Sequence, residues 1–326
     1  MRPLFINSEL KTPLNLHREL NSQNGNDSEI ISASNLIQAL NAEVSWGSRN
    51  EDNSKLDLLL SFNHPWILGQ RVLLFSQVKS GSSFGKISNN NSIKLFAKGI
   101  KQAQTSQNNI CLIWYDHNTK ENYWMFVHPN TNSKATVLGR NHLLTPATKF
   151  EIIRCISRIG KQNYFNARGL TIDVLTFEKV PISDYRKSIK KIYTKFGSII
   201  NPLYGKVNIT NYGWKHMFRK SRKLTHKNDS LIILPYLKQL LTFQPDRHWI
   251  ISFITHKHGD FTVLKYEHIL RYEKIKNNKD ANMYEIVIKL VEETVFPTNW
   301  KKENLLSQKV FRKVVLKSTS LKKKKA

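Results

Sequence analysis

RVLLFSQVKSG, residues 71–81, decides how the first half of the chain is read. Four consecutive apolar residues, Val72 to Phe75, predict a strand that is buried for most of its length. Alternate strand residues share a face, so Phe75, Gln77 and Lys79 point the same way, and the strand ends in polar groups before Gly81. A second strand-like run, KLDLLLSF at 55–62, lies just upstream, and in it Asp57 faces opposite to Leu56 and Leu58. Pairing the two runs sets Asp57 beside Gln77 and Lys79. Further upstream a helix is predicted over 28–40, with Asp27 or Ser28 as its cap. Glu29, Ala33, Leu36 and Leu40 follow the 4-3-4 spacing of one helix face, so Glu29 points inward at the end of an apolar stripe.

Downstream, the polar stretch 81–92 leads into a predicted helix over 92–105, and then into two strands, NICLIWYD (109–116) and NYWMFVH (122–128). Helix, strands, helix, strands is an α/β order. Trp114, Tyr115, Tyr123 and Trp124 fall inside these apolar strands, which favours core packing over stacking on bases. Cys111, between Ile110 and Leu112, reads as a buried structural thiol. Two carboxylates, a polar oxygen and a lysine are what metal-assisted phosphodiester hydrolysis needs. Mg²⁺ takes oxygen ligands, and a lysine offsets developing negative charge.

The run Leu56-Asp57-Leu58, a gap, then Ser76-Gln77-Val78-Lys79-Ser80-Gly81, resembles the D…(E/Q)xK core of the PD-(D/E)XK nuclease superfamily. It is most similar to the Mrr-like restriction endonuclease branch, where Gln often replaces Glu. The resemblance covers about residues 25–130 and implies a restriction-endonuclease-like mixed sheet flanked by helices. It further implies that Asp57 is the main ligand of Mg²⁺ (or Mn²⁺), helped by Glu29 and the Val78 carbonyl. Lys79 is then the catalytic lysine and Gln77 a neutral ligand or orienting group. The Pro that often precedes the Asp is replaced by Leu56. A defence or toxin-type effector is the context this resemblance suggests.

The whole chain of 326 residues carries 51 Lys and Arg against 24 Asp and Glu, a formal charge of +27, and so expects an acidic partner. Residues 1–150 hold 15 basic and 10 acidic side chains (+5), 151–204 hold 10 and 4 (+6), and 205–326 hold 26 and 10 (+16). The excess therefore gathers towards the C-terminal end. Its densest stretch runs from Gly213 to Lys223 and, read as one helix, groups His216, Arg219, Lys220 and Lys223 in a stripe. Lys215, His216, Arg219, Lys220, Arg222 and Lys223 are the expected nucleic-acid contacts. His216, ordinarily titrating near about 6.5, could also move a proton.

The C-terminal layout of helices and then four strands, with Lys317-Ser318-Thr319 late, is similar to the barnase–EndoU–colicin–RelE ribonucleases. That resemblance, over about 205–320, implies a metal-independent ribonuclease as the alternative activity; a nucleic-acid-binding protein with a decayed nuclease fold is a second alternative. His256-Lys257-His258-Gly259 reads as a hairpin turn with surface histidines, and His226 with Asp229 as a helix cap and its neighbour.

The expected organisation is a loosely ordered lead-in at 1–27, a nuclease-like α/β domain at 28–145 and a helical, basic connection at 146–204. A smaller basic α+β domain at 205–320 and a disordered basic tail at 321–326 complete it. The boundary of the last domain is placed at the turn around Asn201–Tyr204, flanked by Pro and Gly. The expected partners are nucleic acid, DNA or RNA, and a second copy of the chain as a homodimer. No membrane is expected, because no apolar run approaches the ~18 residues a span needs. With no secretory signal at the start, and with two cysteines too few for a disulfide scaffold or a four-ligand zinc site, a cytoplasmic location is expected. No GxxxxGK[ST] loop is present, so a P-loop motor is not indicated.

Overall fold

Strands form where the alternation is cleanest, and three sheets result among the described residues. The computed structural model describes residues 16–47, 56–88, 92–159, 170–173, 182–278, 282–302 and 309–323. The chain divides into two compact units. The first takes Met1–Ile37, Ala42–Phe62 and Leu73–Leu144; the second takes Gln38–Asn41, Asn63–Val72 and Thr145–Ala326.

The first unit is α/β. Helix α1 (Leu16–Leu40) is followed by β1 (Glu43–Trp46), β2 (Leu58–Asn63) and β3 (Arg71–Ser80). Then come β4 (Gly85–Ile87), β5 (Ile93–Leu95), α2 (Ala97–Gln104), β6 (Ile110–Asp116), β7 (Glu121–Val127) and β8 (Thr136–Leu138). The main sheet has the order β1-β2-β3-β6-β7, with β3 parallel to β6 and β6 antiparallel to β7; β4, β5 and β8 form a small second sheet. One face of the main sheet carries Ile110, Leu112 and Trp114, which pack with Ile100 and Ala103 of α2. The other face carries Tyr115, opposite Asn122, and α1 lies there: Ser32 Oγ donates to Asn122 Oδ1 at 2.8 Å. Ala33, Leu36 and Leu40 are buried as their spacing requires, with Glu29 half-buried at the end of the stripe.

Two expectations shift in detail. The helix expected over 28–40 begins twelve residues earlier, so residues 16–27 of the supposed lead-in are helical. The helix expected over 92–105 splits, because the alternating Ile93 and Leu95 pair with β4 and β8 and the helix starts only at Ala97. Trp114, Tyr115, Tyr123 and Trp124 are all buried, as is Cys111.

In the second unit α3 (Thr148–Ile159), β9 (Thr171–Ile172), α4 (Ile182–Lys195), β10 (Ser198–Asn201) and β11 (Gly205–Asn208) come first. They are followed by α5 (Asn211–Met217), α6 (Leu224–Ile233), α7 (Leu237–Thr242) and β12 (Arg247–His258). Three further long strands close the unit: β13 (Phe261–Asn277), β14 (Met283–Pro297) and β15 (Phe311–Lys323). The sheet order is β10-β11-β15-β14-β13-β12, with β9 beside β13. Ile286, Ile288 and Leu290 of β14 and Leu270 and Tyr272 of β13 share the face on which Tyr193, Met217, Leu234 and Leu237 pack. Past its short pairing with β11, the free edge of β15 is covered by helices: the Thr319 carbonyl accepts from Arg222 Nη2 at 2.8 Å and Ser230 Oγ at 3.0 Å.

The segment expected to connect two domains is thus structural in this unit, supplying α3, β9, α4 and β10. Asn201–Tyr204 is the turn of the β10–β11 hairpin, its Asn201 Oδ1 accepting from the Leu203 and Tyr204 amides at 3.0 and 3.1 Å. A side-chain-closed turn with a proline looks in sequence like a linker. Lys322 and Lys323, expected in a disordered tail, pair with Glu285 and Tyr284 as the end of β15, whereas residues 324–326 lie outside the described residues. In LTIDVLTF, residues 170–177, Thr171 and Ile172 form β9, and 174–177 lie outside the described residues. Among the described residues no helix is long and apolar enough to cross a membrane.

Candidate functional site

β2 and β3 separate at Asp57, and the sequence reason lies in the backbone hydrogen bonds. The Asp57 amide still donates to the Ser76 carbonyl at 3.1 Å, but the next amide on that edge, Val78 N–H, is met by the Asp57 carboxylate itself. Oδ2 accepts from it at 2.5 Å, so the side chain takes the place of a ladder carbonyl and is fixed at the split. Along a strand a residue's N–H and C=O point to the same edge, so the Val78 carbonyl opens into the same split. Lys79 Nζ donates to this carbonyl at 3.0 Å and stands 3.9 Å from Asp57 Oδ2. Asp57, Val78 and Lys79 therefore come together around one ammonium group. The Asp57 side chain is 6% exposed and that of Lys79 19%, so solvent reaches the site from the lysine side.

The loop after β3 helps to hold the lysine. Gly81 adopts a positive φ of 77°, the chain turns back, and the Trp114 indole donates to the Gly81 carbonyl at 3.1 Å. This brings the Phe84 ring within 5.9 Å of Lys79 Nζ, a cation–π contact.

Gln77, opposite Leu112 in the β3–β6 pairing, faces the α2 side with Lys79. It is fully buried, and neither its Oε1 nor its Nε2 has a hydrogen-bond partner among the described residues. A buried amide left so is costly, about 1–3 kcal/mol, and marks a place where a polar partner fits. Glu29 is half-buried on α1, which lies on the opposite face; its neighbour Ser28 has its Oγ 3.4 Å from His117 Nε2. No group of three His, Cys, Asp or Glu side chains among the described residues is placed to hold a metal ion. The donors at the split are instead one carboxylate and one backbone carbonyl. That all-oxygen set fits a hard cation such as Mg²⁺ rather than zinc.

In the second unit the basic stretch is not one helix. α5 stops at Met217, Phe218 leaves helical geometry, and 218–223 form a turn before α6. The expected stripe of His216, Arg219, Lys220 and Lys223 therefore does not share one helix face. Lys215, Arg219, Lys220 and Lys223 are exposed, while Arg222 is half-buried and spends two donors on the Met217 and Thr319 carbonyls. His216 is half-buried, and its Nδ1 has no hydrogen-bond partner among the described residues. Burial lowers its pKa, and Arg219, Lys317 and Arg222 lower it further, against an opposite pull from Glu267. His256 and His258 are exposed at the β12–β13 hairpin. His226 Nδ1 lies 3.6 Å from Asp229 Oδ2 inside α6, whose cap residue is Lys223, so His226 is no cap.

Sequence reading missed a buried ionic network. Glu292 on β14 receives Arg154 Nη1 from α3 at 2.9 Å, Arg312 Nε from β15 at 2.5 Å, and lies 2.7 Å from His268 Nε2 of β13. Burial alone would raise the Glu292 carboxyl. Arg154 and Arg312, with the His268 hydrogen bond, overcome it and hold the group well below the usual carboxylate range. Burial followed by Arg154, Arg158 and His268 pushes nearby His248 down to about 3. The signal was in MYEIVIKLVEETVF: Glu292 falls in step with Ile286, Ile288 and Leu290, on the apolar face.

Compared with protein-family models, with curated proteins and with solved structures, the chain matches none.

Proposed function

We propose that the chain is a Mg²⁺-dependent nuclease of the PD-(D/E)XK, restriction-endonuclease-like type, acting on nucleic-acid phosphodiester bonds. The observation that carries the reading is the convergence of Asp57 Oδ2 and the Val78 carbonyl on the Lys79 ammonium where β2 and β3 part. Asp57 and Val78 would hold the cation, and the resemblance adds Gln77, whose Oε1 has no partner among the described residues; Glu29, which the resemblance also names, is on the helix at the opposite face and is left out of the proposed site. Once bound, Mg²⁺ polarises the phosphate and lowers the pKa of an attacking water. Asp57 is kept in position by the Val78 amide. Lys79 moves from the two oxygens to the phosphate, where it offsets the charge that develops on the non-bridging oxygens. Gln77 orients the water through its amide. The cations of the second unit hold the substrate.

The test compares cleavage of DNA and of RNA, with Mg²⁺ and with chelator, for wild type, Asp57→Asn, Lys79→Met and His216→Ala. Loss of cleavage with chelator and in the first two variants, but not in His216→Ala, is the expected result. Activity that survives chelator and Asp57→Asn but disappears in His216→Ala overturns it in favour of a metal-free ribonuclease. Tight, salt-sensitive binding without cleavage by any form leaves a binding protein.

A further inference from the structure

α4 is amphipathic in an unusual direction. Tyr185, Ile189 and Tyr193, four residues apart, pack into the core of the second unit. On its remaining surface Arg186, Lys187, Lys190, Lys191 and Lys195 are all exposed. The helix has one carboxylate, Asp184, which pairs with Lys187 at 3.3 Å and so offsets one of the five charges. α4 runs antiparallel to α5. Near its C-terminal end Tyr193 OH donates to the Thr210 carbonyl at 2.7 Å and its ring lies 5.3 Å from that of Trp214. Near its start the Arg186 guanidinium lies 4.9 Å over the Phe218 ring. These contacts set the first half of α4 beside the turn after α5, where Arg219, Lys220 and Lys223 are exposed, with Lys215 exposed on α5 itself. Nine exposed cations thus adjoin, and residues 211–223 add no carboxylate.

We propose that α4 and the turn after α5 form one track that binds the phosphate backbone of a nucleic acid without regard to base sequence. α4 has 14 residues and so spans about 21 Å, enough for roughly six phosphates of one strand. The exposed groups are lysines and arginines, which contact phosphates as charges. The outward side of α4 offers no Asn or Gln to read base edges, and its one carboxylate, Asp184, is paired with Lys187. An anionic bilayer would call for Trp, Phe or Leu among the charges; α4 contains none of these, its exposed large apolar residues being Ile182 and Ile192. The proposal rests on the nucleic-acid half of the reading above and not on hydrolysis.

The experiment measures binding of the full chain, in chelator, to labelled duplex DNA and single-stranded RNA of two unrelated sequences between about 50 and 200 mM salt. Replacing Lys187, Lys190, Lys191 and Lys195 together by Gln is expected to weaken binding at least ten-fold at the low-salt end. The slope of log affinity against log salt on the duplex should shrink by about 3 to 4, or roughly 0.9 per lost phosphate contact. Arg219→Gln with Lys220→Gln, on a different element, should remove about 2, and both sets should act alike on both sequences. All substituted side chains are exposed, so an unchanged Tm checks folding. An unchanged slope in the quadruple variant overturns the proposal, as does strong sequence preference, or binding to phosphatidylserine vesicles without binding to nucleic acid. If the slopes shift as expected but no metal supports cleavage, the hydrolytic reading fails and the track stands. If the protein cleaves and the slopes do not move, the track fails alone.

Discussion

Asp57 has a structural task besides the chemical one proposed for it, and the two separate by substitution. Ala leaves the Val78 amide without its acceptor, at a cost of about 1–3 kcal/mol; Asn keeps an oxygen there. Both variants should lose Mg²⁺-dependent cleavage, but in urea unfolding only Asp57→Ala should be clearly destabilised, and equal losses would count against the hydrogen bond. Lys79 stands where a cation would bridge Asp57 Oδ2 and the Val78 carbonyl, so it competes for the same oxygens. Lys79→Met should abolish cleavage yet bind Mn²⁺ more tightly than wild type, read by the loss of the free-ion paramagnetic resonance signal; weaker binding would contradict the competition. Glu292 supplies a pH dependence with a definite sign. Its folded pKa is depressed, so its stabilisation is fully present above the unfolded value, about 4.3, and is lost as pH falls through the lower folded value. Glu292→Gln leaves Arg312 facing a neutral group, while Arg154 keeps its ion pair with Glu151, and should cost roughly 3 kcal/mol at neutral pH. Its stability, followed by denaturant titration, should also lose part of the wild-type decline below about pH 4.

α5 shows how little room an element can have. A Cβ on Gly213 would lie 2.4 Å from the Leu316 carbonyl oxygen and 2.7 Å from Tyr193 OH, so Gly213→Ala must push α5 off β15 and α4. An overpacked contact of this kind costs about 1–3 kcal/mol, measurable as a drop in Tm, and an unchanged Tm would mean that α5 is free to shift. Much at this scale was legible beforehand. The alternation in residues 71–79, 109–116 and 283–292 gives β3, β6 and β14 because a buried strand must alternate or be apolar throughout. Asp57, Lys79 and their pairing followed from that register. What could not be read was where a tertiary contact overrides the local pattern. Phe218 ends α5 by packing between Trp214 and Arg186, and no breaker residue announces it. Arg154, Glu292 and Arg312 lie far apart in sequence, and each alone looks like a surface charge; only the step of Glu292 with Ile288 and Leu290 hints otherwise.

Across the whole molecule the two units are not two successive lengths of chain. Asn63–Val72, between β2 and β3, belongs to the second unit. There the Trp66 indole donates to the Pro202 carbonyl at 3.2 Å, lies under the Arg312 guanidinium at 5.4 Å, and fills the space beside Gly205, which holds a positive φ of 64°. A Cβ at Gly205 would meet the Trp66 side chain at 2.9 Å. A chain cut after Leu144 should therefore not yield a sound C-terminal fragment: residues 145–326 alone would expose the Trp66 socket and show a lower Tm than the second unit of the intact protein. An unchanged Tm would reduce Trp66 to a passive cover. The same arrangement sets a clock on biosynthesis. Trp66 leaves the ribosome 246 residues ahead of Arg312, an interval of about 12–50 s at ~5–20 residues per second. Until then the loop joining β2 to β3, the strands that carry the catalytic candidates, is without its final lodging. The emission of Trp66 on arrested nascent chains, with the other tryptophans replaced, should stay water-like until β15 has emerged.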